Sequence, residues 1–188
     1  NSGEYKVMGL APFGEPKYFN LIIDKLLEVK EDGSFILNQE YFNYSVGLTM
    51  TNSKFDDLFK IKRRNPSEDL SQIHMDIAAS IQKTIEFIII KICKYVKKTT
   101  KMNNLCLSGG VALNCVANYK IGQEKIFNNI WVQPASGDAG SSIGAAMYLF
   151  YHILNNTRKI DNFDNMKGCY LGTDYSQEEI KKDLDKFD

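Results

Sequence analysis

The sequence predicts an α/β fold in which helices cover the faces of a parallel sheet. Two observations carry that expectation. The apolar runs Leu105-Cys106-Leu107 and Ile130-Trp131-Val132 each feed a small-residue loop, LSGGVALN at Leu107 to Asn114 and QPASGDAGSSIGAA at Gln133 to Ala146, and an Ala-rich helix comes after each loop. Around them the order alternates: strand over Asn104 to Leu107, helix from about Val111 to Gln123, strand over Asn129 to Gln133, helix from about Ala139 to Leu154.

Taken in order, GEYKVMGLAPFG (Gly3 to Gly14) reads as a turn of helix running into a Gly/Pro loop, and Glu15-Pro16 starts a helix through about Glu28. Asp32-Gly33 is a turn. Phe35 to Leu37 and Glu40 to Tyr44 are strand candidates, with Asn38-Gln39 between them as a hairpin turn. A short helix is expected from Ser53 to Lys60. The longest periodic segment runs from about Glu68 to Lys98, where Leu70, Ile73, Ile77, Ile81, Ile85, Ile88, Ile92 and Tyr95 recur at helical spacing. Phe87, Ile89 and Ile90 widen its apolar face, so it is expected to pack centrally, covered from more than one side. After the alternating units, Asn155 to Lys167 is polar and reads as an exit linker, and Ser176, with Glu178 and Glu179 close behind, starts a last short helix. The organisation expected is a domain over 1–155 and a linker with the start of a further segment over 156–188.

The glycine loops carry the chemistry. Gly109 and Gly110 lack Cβ atoms, so the backbone can take positive φ and a ligand can approach closely, while the next helix presents free N–H groups. Two such loops at the carboxyl ends of parallel strands make an anion-binding cleft, and phosphate or nucleotide is its natural guest. Asp138, between Gly137 and Gly140, reads two ways: as a metal ligand, because a carboxylate beside phosphate needs a cation between them, or as the N-cap of the helix beginning near Ala139.

Composition narrows the class. The chain has 188 residues, 44% hydrophobic and 24% charged, enough for an ordinary core. Lys plus Arg balance Asp plus Glu at 23 each, so nothing points to nucleic acid or an anionic membrane as partner; the basic group Lys60, Lys62, Arg63, Arg64 reads as a solvated loop. Four cysteines without CxxC spacing, three of them in apolar patterns, suit a reducing cytoplasm. No apolar run reaches the ~18 residues of a membrane span. P-loop and GxGxxG patterns are absent, SGG at Ser108 does not supply the GxSxG of a serine nucleophile elbow, and His74 and His152, each alone on a helical pattern, do not form a two-histidine metal clamp. The chain opens at Asn1-Ser2-Gly3 without methionine and stops abruptly at Asp188, so a piece of a longer protein is expected.

Three ordered motifs, GEYKVMGLAPFG at Gly3 to Gly14, LCLSGGVALNCVANYKI at Leu105 to Ile121 and QPASGDAGSSIGAA at Gln133 to Ala146, closely resemble the O-carbamoyltransferase family, which modifies nodulation factors and antibiotics. The tail YLGTDYSQEEI, Tyr170 to Ile180, is similar to the segment just after that family's first domain, whereas Glu15 to Lys101 matches mainly in pattern. The resemblance implies the second lobe of an actin-like ATPase (ribonuclease H-like) domain, with helices on both sheet faces, akin to the threonylcarbamoyl-adenosine enzymes that modify transfer RNA. It also implies ATP and carbamoyl phosphate as substrates, a carbamoyl-adenylate intermediate, and transfer to a hydroxyl of a small-molecule or glycan acceptor, with the fragment alone inactive.

Residue by residue, the resemblance implies nucleotide contacts at Ser108, Gly109, Gly110, Asn114, Gly137 and Gly140, with Asn114 turning its amide toward ligand. Asp138 matches the family's metal-binding aspartate, for iron or another divalent ion, whose companion HxxxH histidines are missing here. Lys6, in KVMGLAP, is either a phosphate partner or a surface lysine. Two other readings stay open: an actin-like sugar or acetate kinase half-domain, and a nucleotide-gated interaction module. The acceptor and the oligomeric state, a homodimer included, are left open by the sequence.

Overall fold

The computed structural model describes residues 3–160, 163–164 and 166–187. Asn1, Ser2 and Asp188, on which the expectation of a fragment rests, lie outside them, as do Asp161, Asn162 and Asn165 of the polar stretch. The described chain divides into two units, with the boundary between Ala139 and Gly140.

Helix α1 (Glu4–Leu10) runs into a 3-10 turn, Ala11–Phe13, with Pro12 near its start. The next loop is clamped to the long helix α4 (Gln72–Thr100). Glu15 N and Gln72 Nε2 each donate to Asp76 Oδ1 at 2.9 Å, Lys17 Nζ donates to Asp76 Oδ2 at 2.8 Å, and Tyr18 N donates to Ser80 Oγ at 3.0 Å. Gly14 is required here, because a Cβ on it would stand 2.0 Å from the Met75 carbonyl oxygen. Asp76 is 4% exposed, yet three donors and the Lys17 charge hold its carboxyl down to about 2.

The helix expected through Glu28 ends earlier. Phe19–Leu21 is helical as α2 and widens into a π-turn, Ile22–Leu26, after which Leu27–Val29 is strand β1. The chain turns at Asp32-Gly33, where Gly33 has φ +87° and Asp32 Oδ1 accepts from Ser34 N at 2.9 Å, and Phe35–Leu37 returns antiparallel as β2. Leu27 to Val29 look helical locally and become strand because β2 is there to accept their ladder. Glu40 to Tyr44 is not a strand and no hairpin forms at Asn38-Gln39. Asn38 instead caps a 3-10 turn, Gln39–Tyr41, and Phe42 makes one bridge to Thr51. Helix α3 (Ser53–Phe59) is capped by Asn52, whose side chain accepts from Lys54 N. Ile22, Leu26 and Phe59 form the first core cluster, with Tyr18, Phe55, Ile77 and Ile81 packed on it.

Helix α4 starts at Gln72, later than Glu68, because Ser71 and His74 close its end: Ser71 N donates to His74 Nδ1 at 3.0 Å. It stops after Thr100 with Lys101 at φ 57°. It is central, as expected, but apart from Ile88 its most buried positions are small or polar, Asp76, Ala78, Ala79, Ser80, Gln82, Thr84 and Cys93, while Ile92 and Tyr95 are exposed. Close approach of the Ala11–Phe13 turn needs small side chains. The buried hydroxyls return to the helix's own carbonyls, Ser80 Oγ to Asp76 O at 2.6 Å and Thr84 Oγ1 to Ser80 O at 2.8 Å, so they stay satisfied.

Strands β3 (Asn104–Leu107) and β4 (Asn129–Val132) pair in parallel, Leu107 opposite Val132, as the alternation requires. Between them a 3-10 turn, Gly110–Leu113, precedes helix α5 (Cys115–Gln123), so the expected helix from Val111 is broken in two. On one sheet face Leu105, Leu107 and Ile130 pack on Cys93 and Val96 of α4 and on Ile121 and Phe127. Each buried side chain of this size contributes about 1.5–3 kcal/mol. Cys106 and Trp131 alternate to the other face, where both are exposed.

In the second unit, a 3-10 turn (Asp138–Gly140) that spans the boundary leads into α6 (Ser141–Tyr148), which widens into a π-turn, Leu149–Ile153. The single helix expected from Ala139 to Leu154 is thus three pieces. His152 stacks on Tyr148 at 5.0 Å between centroids. Helix α7 (Gln177–Leu184) begins, as expected, at Ser176: Ser176 N donates to Glu179 Oε2 at 2.8 Å and Glu179 N to Ser176 Oγ at 3.2 Å. Cys93 alone is a buried cysteine; Cys106, Cys115 and Cys169 are exposed. Among the described residues no helix is long and apolar enough to cross a membrane.

Candidate functional site

Parallel strands that end in register deliver their loops to the same place. Past the Leu107–Val132 pair, Gln133 N donates to Leu107 O at 3.0 Å, and Gly109 N then donates to Ser136 O at 2.8 Å, tying the first glycine loop to the second. Gly109 has φ 101° and ψ 165°, a conformation open essentially to glycine alone. A Cβ on Gly109 or Gly110 would meet nothing within 4 Å, and both residues are exposed. The cradle is therefore bare backbone facing outward. Gly137 lies against the first loop as well, its missing Cβ 3.5 Å from Leu113 Cδ1.

The turn after Gly110 is locked from behind. Asn114 Nδ2 donates to Gln82 Oε1 at 2.9 Å and Gln82 Nε2 donates back to Asn114 Oδ1 at 3.2 Å, while Asn114 Oδ1 also takes Ala117 N at 3.0 Å as the cap of α5. Gln82 Nε2 further donates to Glu86 Oε1 at 2.9 Å. A carboxylate at one end accepts only and a backbone N–H at the other donates only, so both amides have a single consistent orientation. Both amide atoms of Asn114 are thereby engaged inside the protein. Asn118 Nδ2 holds the carbonyl of Ala112 at 2.8 Å from the other side.

Ser108 is exposed and lines the rim of an apolar pocket of about 170 Å³ walled by Ile89, Cys93, Leu105, Leu107 and Val111. Ser136 is 3% exposed, and its Oγ is buried without a hydrogen-bond partner among the described residues. Asp138 is exposed at the first position of its 3-10 turn. Gly140 belongs to the second unit. Lys6 is exposed on α1 with Nζ 5.9 Å from the centroid of the Tyr5 ring, and among the described residues no hydrogen bond or ion pair joins it to the glycine loops. The structure thus brings together Ser108, Gly109, Gly110, Asn114 and Gly137, and does not bring Lys6 to them.

The residues described do not build a metal site: no three His, Cys, Asp or Glu side chains stand together among them. Asp138 offers one carboxylate, which is short of a ligand set. Sequence reasoning missed Gln82, Asp76 and Ser136. Polar residues within an isoleucine-rich helix, Asp76 in its second turn and Gln82 further along, were a readable signal for the first two; nothing in the local sequence marks Ser136.

Compared with known proteins, residues 1–147 match the family model described as the carbamoyltransferase N-terminus. The chain is 55% identical over 181 residues to the uncharacterized protein sll1178 of Synechocystis sp., covering 96% of this chain and 29% of that one. It is 35% identical over 144 residues to the nodulation protein NolO of Bradyrhizobium diazoefficiens, covering 77% and 24%, and 34% identical over 146 residues to the nodulation protein NolNO of Sinorhizobium fredii, covering 78% and 20%. The chain spans less than a third of the length of each of these relatives.

Proposed function

The chain belongs to the carbamoyltransferase N-terminal family, and from that premise we propose that it is the ATP- and carbamoyl-phosphate-handling segment of an O-carbamoyltransferase, folded as the second lobe of an actin-like ATPase domain. One observation supports the reading above the others. Two small-residue loops leave the carboxyl ends of parallel strands and are tied by the 2.8 Å bond from Gly109 N to Ser136 O, with Gly109 in a glycine-only conformation and its surface open.

In the proposed reaction carbamoyl phosphate loses orthophosphate with one water consumed. The carbamate oxygen attacks the α-phosphorus of ATP, and pyrophosphate leaves. An acceptor hydroxyl then attacks the carbamoyl carbon of the adenylate, its proton passes to solvent, and AMP departs. Charge gathers on phosphoryl oxygens in the middle step, and fixed donors aimed at those oxygens lower its barrier without reorganising. Gly109 and Gly110 let phosphate come within reach of the backbone because no Cβ stands in the way. Ser108 offers a hydroxyl at the mouth of the same loop. Asn114, whose amide is spent on Gln82 and Ala117 N, acts here by holding the turn in shape rather than by touching nucleotide. Gly137 keeps the second loop close to the first, and Gly140 continues that loop toward α6. Lys6 is the cation assigned to a phosphate from α1, and Asp138 the carboxylate assigned to a metal whose other ligands are not among the described residues. The acceptor is a hydroxyl-bearing small molecule or glycan.

The test is pyrophosphate release from ATP, with and without carbamoyl phosphate and with no acceptor, on the protein as its gene encodes it in full. Release that requires carbamoyl phosphate is expected. ATP turnover that yields ADP and ignores carbamoyl phosphate would replace this reading with a kinase, and nucleotide binding with no turnover would replace it with a nucleotide-gated module.

A further inference from the structure

We propose that the hydroxyl of Ser136 is a ligand-binding group, a donor to a phosphoryl oxygen held between the two glycine loops. The proposal rests on the reading of this cleft as a phosphate site.

A serine that is 3% exposed ordinarily gives its hydroxyl to a nearby carbonyl, as Ser80 and Thr84 do elsewhere in this chain at 2.6 and 2.8 Å. Ser136 does not: its Oγ is buried and makes no hydrogen bond among the described residues. An unmade hydrogen bond at a buried hydroxyl opposes folding, and an alanine in its place would remove that penalty. Such a group is kept at a cost to the fold, which makes sense where a bound molecule completes it.

Its surroundings say which molecule. The carbonyl of Ser136 already takes Gly109 N at 2.8 Å, so the backbone that carries this buried, unpartnered hydroxyl is fixed to the first loop. Ser108, Gly109, Gly110 and Gly137, the loop residues on either side of that bond, have small or absent side chains, and the nearest carboxylate in sequence is Asp138, two residues on. A hydroxyl donor beside bare backbone suits an anion with several acceptor oxygens. Ser136 has a single side-chain heavy-atom torsion, so its hydroxyl is redirected by one rotamer change, with no change in its own backbone. The shared chemistry is a phosphoryl group, and both ATP and carbamoyl phosphate carry one.

The experiment pairs thermal unfolding without ligand with calorimetric titration of ATP and, separately, of carbamoyl phosphate, on the full gene-encoded protein and its Ser136→Ala and Ser136→Cys variants. Ser136→Ala is expected to melt at or above the wild-type temperature while its affinity for one of the two ligands falls about tenfold or more, and the arm that falls identifies which phosphoryl group is held. Ser136→Cys, close in size and a weak donor, is expected to lie between them. A lower melting temperature with both affinities unchanged would show a structural hydroxyl and overturn the proposal, and so would unchanged affinities at an unchanged or higher melting temperature. Wild-type protein that binds a ligand but releases no carbamoyl-phosphate-dependent pyrophosphate would refute the carbamoyltransferase reading while the Ser136 comparison still decides the proposal. Wild-type protein that binds neither ligand would overturn both.

Discussion

Replacing Gly109 by alanine isolates one physical effect. At φ 101° and ψ 165° the residue occupies a region that side chains avoid, yet a Cβ there would touch nothing within 4 Å. Crowding is therefore absent and the whole penalty is backbone strain, about 1–3 kcal/mol. For a chain of this size each kcal/mol moves the melting temperature by roughly 2–4 °C, so Gly109→Ala should melt about 2–12 °C below wild type. The neighbour supplies the control: Gly110 has no positive φ and the same open space, so Gly110→Ala should stay within about 1 kcal/mol of wild type or gain slightly from a stiffer unfolded chain. Urea unfolding of both variants beside calorimetric ATP titration reads the difference. If Gly109→Ala matches Gly110→Ala in stability and in affinity, the strained turn is not a real constraint on this loop.

Two further expectations come from the same physics. Asp76 has its carboxyl lowered from 3.8 to about 2 by Glu15 N, Lys17 and Gln72, so it adds stability that is fully present above about pH 4 and lost as pH falls toward 2; acid unfolding of Asp76→Asn should lack that component, and identical acid limbs in the two proteins would disprove the clamp. Burial raises the Cys93 thiol while Cys106, Cys115 and Cys169 are exposed, so a thiol reagent should label those three in the native protein and reach Cys93 only in denaturant, and native labelling of Cys93 at the rate of the others would contradict the packing of α4 on β3.

The parallel pair and its two loops were legible because small residues interrupt apolar runs at the points where strands stop, and the cap at Ser176 because its partner lies three residues away. Signals of that kind are local. Leu27 to Val29 extended a helical pattern and became strand only through pairing with Phe35 to Leu37, a fact that belongs to the partner. The apolar periodicity of α4 located the helix but not its tightest contacts, since the closest approach is made by Gly14 to Met75 and needs small and polar neighbours rather than isoleucine. In the site, Gly109 and Gly110 announced themselves by the backbone freedom they confer. Gln82 was marked only as a polar residue in an isoleucine-rich helix, not as part of the site, because its partner Asn114 is 32 residues away, and the state of the Ser136 hydroxyl exists only once the loops have met.

Helix α4 carries both the Asp76 clamp and the Gln82 amide pair, six residues apart or roughly 9 Å along its axis. It works as a ruler. The spacing between the Gly14 loop and the glycine turn follows from a count of residues along this helix. Inserting one residue between Asp76 and Gln82 would swing the Gln82 side chain by about 100° around the axis and carry it off Asn114, while every residue of both loops kept its own sequence. Variation in this protein is thus tolerated very differently by substitution and by insertion along the same helix, and a reading of the site that looks only at the loops would miss the segment whose length decides it.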